Sequence, residues 1–436
     1  MSAETAEPDQ QPTGRDLGRL MLIAIVVGLA AGAAVMVFLT VEHYFQTLLW
    51  TTVPNLLGGT PAWWVYVVLL LGAVGVWVAM KLPGGGGHSP LDGLSLSVGT
   101  HEIAGVLITA LISLSVGAVV GPEAPLMALG SAVGAAFAFK APESVRKVLM
   151  MAGAVAAITM ILGNPMVSAV LLLEGFALIG SPGGKKVMIA VLPILLAMGF
   201  GYLIQVGFGN WSGVGEAKLG VPGLPAYDTV QAGDLLMSLV VAIVTAVFAV
   251  IAVEAGTAYR NRIRNPLIGL LVTAVIVATA AVATRAITGQ SLDVILFSGE
   301  TSTATALGIT SVSALLVIAV AKTIGYAVSI GGGFRGGMIF PSVFLGVVVA
   351  TAVSLLVPSV SVSALAAAGI AAAVAGVIRL PFTAVILALL LCSGAGLAVT
   401  TPAIIGSVAG VLIRVVADLR LSKDQDPTAA EASPSS

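Results

Sequence analysis

Cysteine occurs once in the 436 residues, at Cys392, which excludes an intrachain disulfide and any metal site built from several thiolates. Histidine occurs three times, at His43, His88 and His101. No His-Glu-x-x-His, Gly-x-Ser-x-Gly or pair of aspartates within apolar runs accompanies them, so metalloprotease, serine-hydrolase and aspartyl chemistry lack their parts. Gly-Lys-Ser/Thr is missing too, which removes the phosphate-binding loop as an explanation for glycine-rich stretches. Neither an enzyme nor a resident cofactor, a metal or a nucleic-acid partner is expected. Charge is the scarcest property: 9% of residues are charged against 58% hydrophobic, and the mean hydropathy is +1.09. That balance places most of the chain in lipid or against other lipid-embedded helices. A net charge of −1 carries no information about partners.

Apolar runs long enough to span a bilayer fall at about 20–40, 63–80, 187–206, 235–253, 267–282 and 314–328,. Others, at about 126–139, 166–179 and 382–399, are short or follow directly on prolines. The first run is as long as a span and has no small-residue cleavage pattern, so it reads as a retained helix. Residues 1–16 and 422–436 are polar and read as a disordered head and tail around a transmembrane domain at 17–421,. Basic residues cluster before the first run (Arg15, Arg19) and between later ones (Lys81; Lys140, Arg146 and Lys147; Lys185 and Lys186; Arg260, Arg262 and Arg264). By the positive-inside rule these lie in the cytoplasm with both termini, while the 207–234 loop lies outside a plasma membrane that the chain crosses many times.

Two stretches carry the same punctuation. Gly121, Pro125, Leu129 and Gly130 recur 216 residues on as Gly337, Pro341, Leu345 and Gly346, and Pro165 recurs as Pro381. Duplicated helix breakers in a membrane chain predict two structural repeats, here at approximately 60–206 and 267–416, with a solute path between them. Irregular backbone at membrane depth is tolerated only where it is buried in protein or lines a watery cavity, and there are three such breaks. They contain Gly86-Gly87-His88-Ser89, Gly121-Pro122-Glu123-Ala124 and Gly337-Met338-Ile339-Phe340. Each precedes an apolar segment with proline near its first turn, so free N–H groups and the positive end of the helix dipole point into the break. Three such ends converging form an anion site with no full positive charge. The plainer reading is that the glycines let helices pack closely.

Glu123 is the sharpest single residue. An acid flanked by apolar sequence is expensive unless it works. At a helix start it would occupy the donors that a permeating anion uses, and protonation would release it, which makes it a candidate gate. The alternative is a carboxylate that permanently caps its own helix. His88 would donate to an anion or confer pH dependence, or be an ordinary helix-start cap. Arg335 would steer anions, pair with an acid or snorkel to the headgroups.

Gly121-Pro122-Glu123-Ala124-Pro125 resembles the G-[KR]-E-G-P signature of the CLC chloride channels and transporters, and Gly337-Met338-Ile339-Phe340-Pro341 resembles their G-x-F-x-P. Gly86-Gly87-His88-Ser89-Pro90 stands where they carry G-S-G-I-P; Asn164-Pro165 with Glu174, and Pro381-Phe382-Thr383, match two further landmarks. The order holds across roughly 20–416. The resemblance implies an all-α polytopic fold, an inverted repeat with broken and re-entrant helices. It also implies a homodimer in the lipid bilayer, one path per subunit for chloride or another small anion, and Glu123 as the gate. The amides of Met338 and Ile339 would face the central anion, with those around Glu123 and Gly87 completing the path. The family's cytoplasmic nucleotide-sensing domains are not expected here.

Departures from the pattern set the expected mode. The family's serine donor falls on Gly86 or Gly87, its pore tyrosine near Ala395, counting from Pro381, and its internal proton-accepting glutamate on Gly175. Glu174 stands one position early and about 100° around the helix. These losses point to a passive or weakly coupled anion channel. The alternative is a proton-coupled anion antiporter in which Glu174 or His88 relays protons.

Overall fold

Helices that must satisfy every backbone group internally dominate this chain, as an apolar solvent demands. The computed structural model describes residues 14–92, 101–179, 184–208 and 220–425. The expected polar ends over 1–13 and 426–436, and the 209–219 part of the 207–234 loop, lie outside the described residues.

The first half contains α1 (Gly14–Thr47), which runs through a π-helical turn into short α2 (Val53–Leu56), then α3 (Ala62–Ala79), α4 (Ile103–Ser115) and α5 (Glu123–Phe137). It closes with α6 (Glu143–Leu162), α7 (Pro165–Ile179) and α8 (Gly184–Phe208). The second half contains α9 (Ala232–Arg262), α10 (Pro266–Thr288), short α11 (Thr303–Leu307), α12 (Val312–Gly332) and α13 (Ile339–Leu356). It closes with α14 (Val362–Ile378), α15 (Pro381–Leu391) and α16 (Thr400–Gln425). Among the described residues nine helical stretches are long and apolar enough to cross a membrane. They include α6, α13 and α16, which the hydropathy runs missed because charged residues sit at the ends of α6 and α16 and α13 begins inside a break.

Local chemistry sets many of the boundaries. Proline opens α7, α10 and α15, where its missing N–H is no loss. The Asn164 and Asn265 side chains accept the first N–H groups of α7 and α10, at 2.8 and 3.0 Å,. Gly163 and Gly289, at φ 61° and 70°, terminate α6 and α10 in the left-handed conformation that glycine adopts without strain,.

The 216-residue offset is written into the helix boundaries. Helices α5, α7 and α8 begin at 123, 165 and 184; α13, α15 and α16 begin at 339, 381 and 400; α6 ends at 162 and α14 at 378. The two halves meet through bonds between equivalent residues. The Gly121 N–H donates to the Gly337 carbonyl at 2.9 Å, and the Gly337 N–H donates back to Gly121, as an isolated antiparallel pair. Ser113 Oγ accepts the Arg335 N–H at 3.1 Å, while Ser329 Oγ accepts the Val119 N–H at 3.1 Å. Ser113 and Ser329, like Val119 and Arg335, stand 216 apart. Reciprocal contacts of this kind are what a two-fold relation between halves produces, here the inverted repeat of a transporter fold.

Small residues let the repeats close. A Cβ on Gly130 would strike the Gly153 carbonyl, and one on the equivalent Gly346 would lie 2.6 Å from the Ile370 nitrogen, beside Gly369. The crossing of α5 on α6 is thus repeated by α13 on α14, backbone against backbone. Helix α14, with eight alanines and two glycines in 17 residues, is buried almost throughout; apolar side chains on the outside, such as Leu22, Leu71 and Phe382, are two-thirds exposed or more.

Candidate functional site

Segment 117–122 and its counterpart 333–338 run between helices α4 and α5 and between α12 and α13, and the glycine pair at their centre brings the N-termini of α5 and α13 together. Glu123 is the first residue of α5 and is fully buried. Its carboxylate does not stay with its own helix. Oε1 accepts the Phe340 N–H at 2.9 Å, in the first turn of α13, and the N–H groups of Ile339 and of Glu123 itself also face the carboxylate. Oε2 is buried without a hydrogen-bond partner among the described residues. The acid of one repeat therefore sits on the helix start of the other.

Glycine makes the seat. A Cβ on Gly337 or on Gly121 would run into the Glu123 carboxylate, so both positions need the bare backbone. Tyr326, buried on α12, donates to the Met338 carbonyl at 2.9 Å and fixes the turn that precedes α13. Nothing in the sequence marked this tyrosine.

Three cavities approach the seat. One of about 590 Å³ is lined by Gly87, His88, Ser89, Asp92, Arg260 and Arg335, among others. A small one of about 30 Å³ lies against Gly86, Gly87, His88, Ser89, Ala124 and Arg335. A third, of about 490 Å³, reaches Ala124, Gly337, Met338 and Ile339 from Gly175, Arg379 and Arg414. The three glycine-rich breaks thus converge, and Gly86, Gly87, His88, Ser89, Gly121, Pro122, Glu123, Ala124, Gly337, Met338, Ile339 and Phe340 belong to one locality.

Two expected residues stand apart. The Ala395 carbonyl accepts the Tyr227 N–H at 2.7 Å, and Ala395 lines none of these three cavities. Glu174 is bound into the start of α15: its Oε1 accepts the Phe382 N–H at 2.9 Å, and its Oε2 accepts the Thr383 N–H at 2.8 Å and the Thr383 hydroxyl at 2.7 Å. Gly175, one position on, faces the third cavity. The sequence also passed over Lys322, although a lysine inside an apolar run is itself a signal. It is fully buried, and its ammonium donates to the carbonyls of Ile295, Leu296 and Phe297 at 3.0, 3.2 and 3.0 Å.

The family model described as voltage gated chloride channel matches residues 89–414, about three quarters of the chain and all of the glutamate seat. The chain belongs to the CLC family. Curated relatives of this CLC protein include the putative ion-transport protein YfeO of Escherichia fergusonii, 26% identical over 368 residues, with 80% of this chain and 82% of the relative covered. The YfeO protein of Shigella boydii serotype 18 is 27% identical over 365 residues with the same coverage. Among solved structures, a slow cyanobacterial Cl⁻/H⁺ antiporter superposes with a TM-score of 0.75 at 18% identity, covering 96% of this chain and 100% of the other. A CLC-type fluoride/proton antiporter gives 0.65 at 17%, covering 93% and 97%. These likenesses establish the CLC fold with its inverted repeat in a multi-pass membrane protein.

Proposed function

We propose that this CLC protein exchanges a small anion for protons, with Glu123 as the gate. The observation that carries the reading is the Glu123 carboxylate seated on the α13 N-terminus, the set of donors on which a permeating anion would rest. Anion and carboxylate compete for one place. Protonation removes the charge that holds the carboxylate there, so each departure of the gate is tied to a proton. Both of these solved neighbours are described as proton antiporters, which supports exchange over the channel that the missing donors suggested.

The channel remains the second reading, and one observation favours it. Glu174 is held by three hydrogen bonds in the cap of α15, and Gly175 offers no acid to the cavity it lines. Chloride is the substrate on family grounds, the protein acts as a homodimer with one path per subunit, and the basic loops face the cytoplasm of a plasma-membrane protein.

Chloride efflux from vesicles containing the purified protein, with external pH recorded at the same time, tests the proposal. Proton uptake in fixed ratio to chloride, abolished by Glu123→Gln, is the expected result. Chloride efflux without stoichiometric proton movement, altered by the same substitution, would establish the channel instead.

A further inference from the structure

Arg335 stands two residues before the glycine of the seat and, among the described residues, is the one formally charged residue lining the 30 Å³ cavity. It also lines the 590 Å³ cavity beside it, so it stands where the large space narrows into the small one. Its backbone is fixed by the N–H bond to Ser113 Oγ. Its guanidinium has no ion pair among the described residues, and its Nε is buried with no hydrogen-bond partner. The other cation at this cavity is accounted for: Arg260 is paired with Asp92 at 2.7 Å. A buried, unpaired guanidinium donor is unfavourable unless something accepts from it, and no carboxylate lines the small cavity among the described residues.

We propose that Arg335 is a direct ligand of the transported anion. This rests on the anion-transport reading above and deepens it. The guanidinium supplies what the path otherwise lacks. Where the resemblance to the family would place a serine hydroxyl there is Gly86 or Gly87, and the expected tyrosine position, Ala395, is elsewhere. A charge-assisted bond from a fixed fork replaces neutral hydroxyl donors. It binds the ion more tightly, and it slows release, because conduction needs binding that is also weak enough to let go.

The test is chloride and nitrate efflux from vesicles over a series of concentrations, for the natural sequence, Arg335→Gln and Arg335→Lys. Arg335→Gln is expected to raise the half-saturating chloride concentration at least tenfold and to change the preference between chloride and nitrate. Arg335→Lys, which keeps the charge, is expected to stay within about threefold of the natural half-saturation because Coulomb attraction survives the change of shape. An Arg335→Gln protein with natural half-saturation and natural preference would overturn the assignment while leaving anion transport intact. Absence of anion flux in the natural sequence would instead overturn the transport reading and this one with it. Should Arg335→Gln not fold, Arg335→Lys decides alone: a shifted chloride-to-nitrate ratio supports contact with the ion, and an unchanged ratio refutes it.

Discussion

Two glutamates reach across from the first repeat to helix starts in the second, and the way each is held separates their roles. Glu174 accepts three hydrogen bonds. Glu123 accepts one well-formed bond and leaves an oxygen bare. A hydrogen bond to a charged group contributes about 1.5–3 kcal/mol, so the hold on Glu123 is of the size that one protonation can undo, whereas Glu174 is fastened several times over. Anion flux is expected to rise as the pH is lowered, since neutralising Glu123 weakens its grip on α13, and Glu123→Gln is expected to flatten that dependence; stopped-flow efflux across a pH series checks both. Gly337→Ala places a methyl group where the carboxylate lies. The expected outcome is a displaced gate, with the same loss of pH dependence as Glu123→Gln although residue 123 is untouched.

At the scale of elements, the cap on α15 and the serine bonds between halves carry their own predictions. Glu174→Gln removes the charge but keeps an acceptor, so it is expected to lower the melting temperature in detergent and to leave the proton-to-anion ratio unchanged; a collapsed ratio would return Glu174 to the relay. Ser113→Ala and Ser329→Ala each strip one backbone N–H of its acceptor, at about 1–3 kcal/mol, and the two losses are expected to be of similar size because the bonds are equivalent. Thermal unfolding of both variants measures this. Glycine and proline made the breaks legible, because those residues announce where a helix cannot continue. Serine does not, and although Ser113 and Ser329 share the 216-residue offset, their bonds join segments that only the folded chain brings together. The separation of Ala395 from the three cavities has a similar cause. Helix α15 ends at Leu391, and distances counted along a helix lose meaning once the chain turns through 393–399.

Across the whole molecule, the second half depends on a cation that hydropathy conceals. The Lys322 ammonium ties down the connector around Phe297, which itself donates to the Gly117 carbonyl beside the glutamate break and packs edge-on against Trp50. Lys322→Met would leave three carbonyls without their donor, each at about 1–3 kcal/mol. It is expected to be among the most destabilising single substitutions in the protein, read as a large fall in melting temperature or a loss of detergent-extractable protein. Whether Arg335 was steering, paired or snorkelling could not be read from sequence, because burial and partners belong to the assembled halves. The family, by contrast, was readable from the order of its motifs.

The bonds between Gly121 and Gly337 describe a frame that is alike about its axis, yet the residue equivalent to Glu123 is Ile339. An evenly duplicated scaffold would offer an ion the same energy profile from either face of the membrane. One acid opposed by one isoleucine tilts that profile, so current carried in one direction need not equal current carried in the other. Unequal flux in the two directions is then the expected consequence of the one place in the seat where the two halves differ.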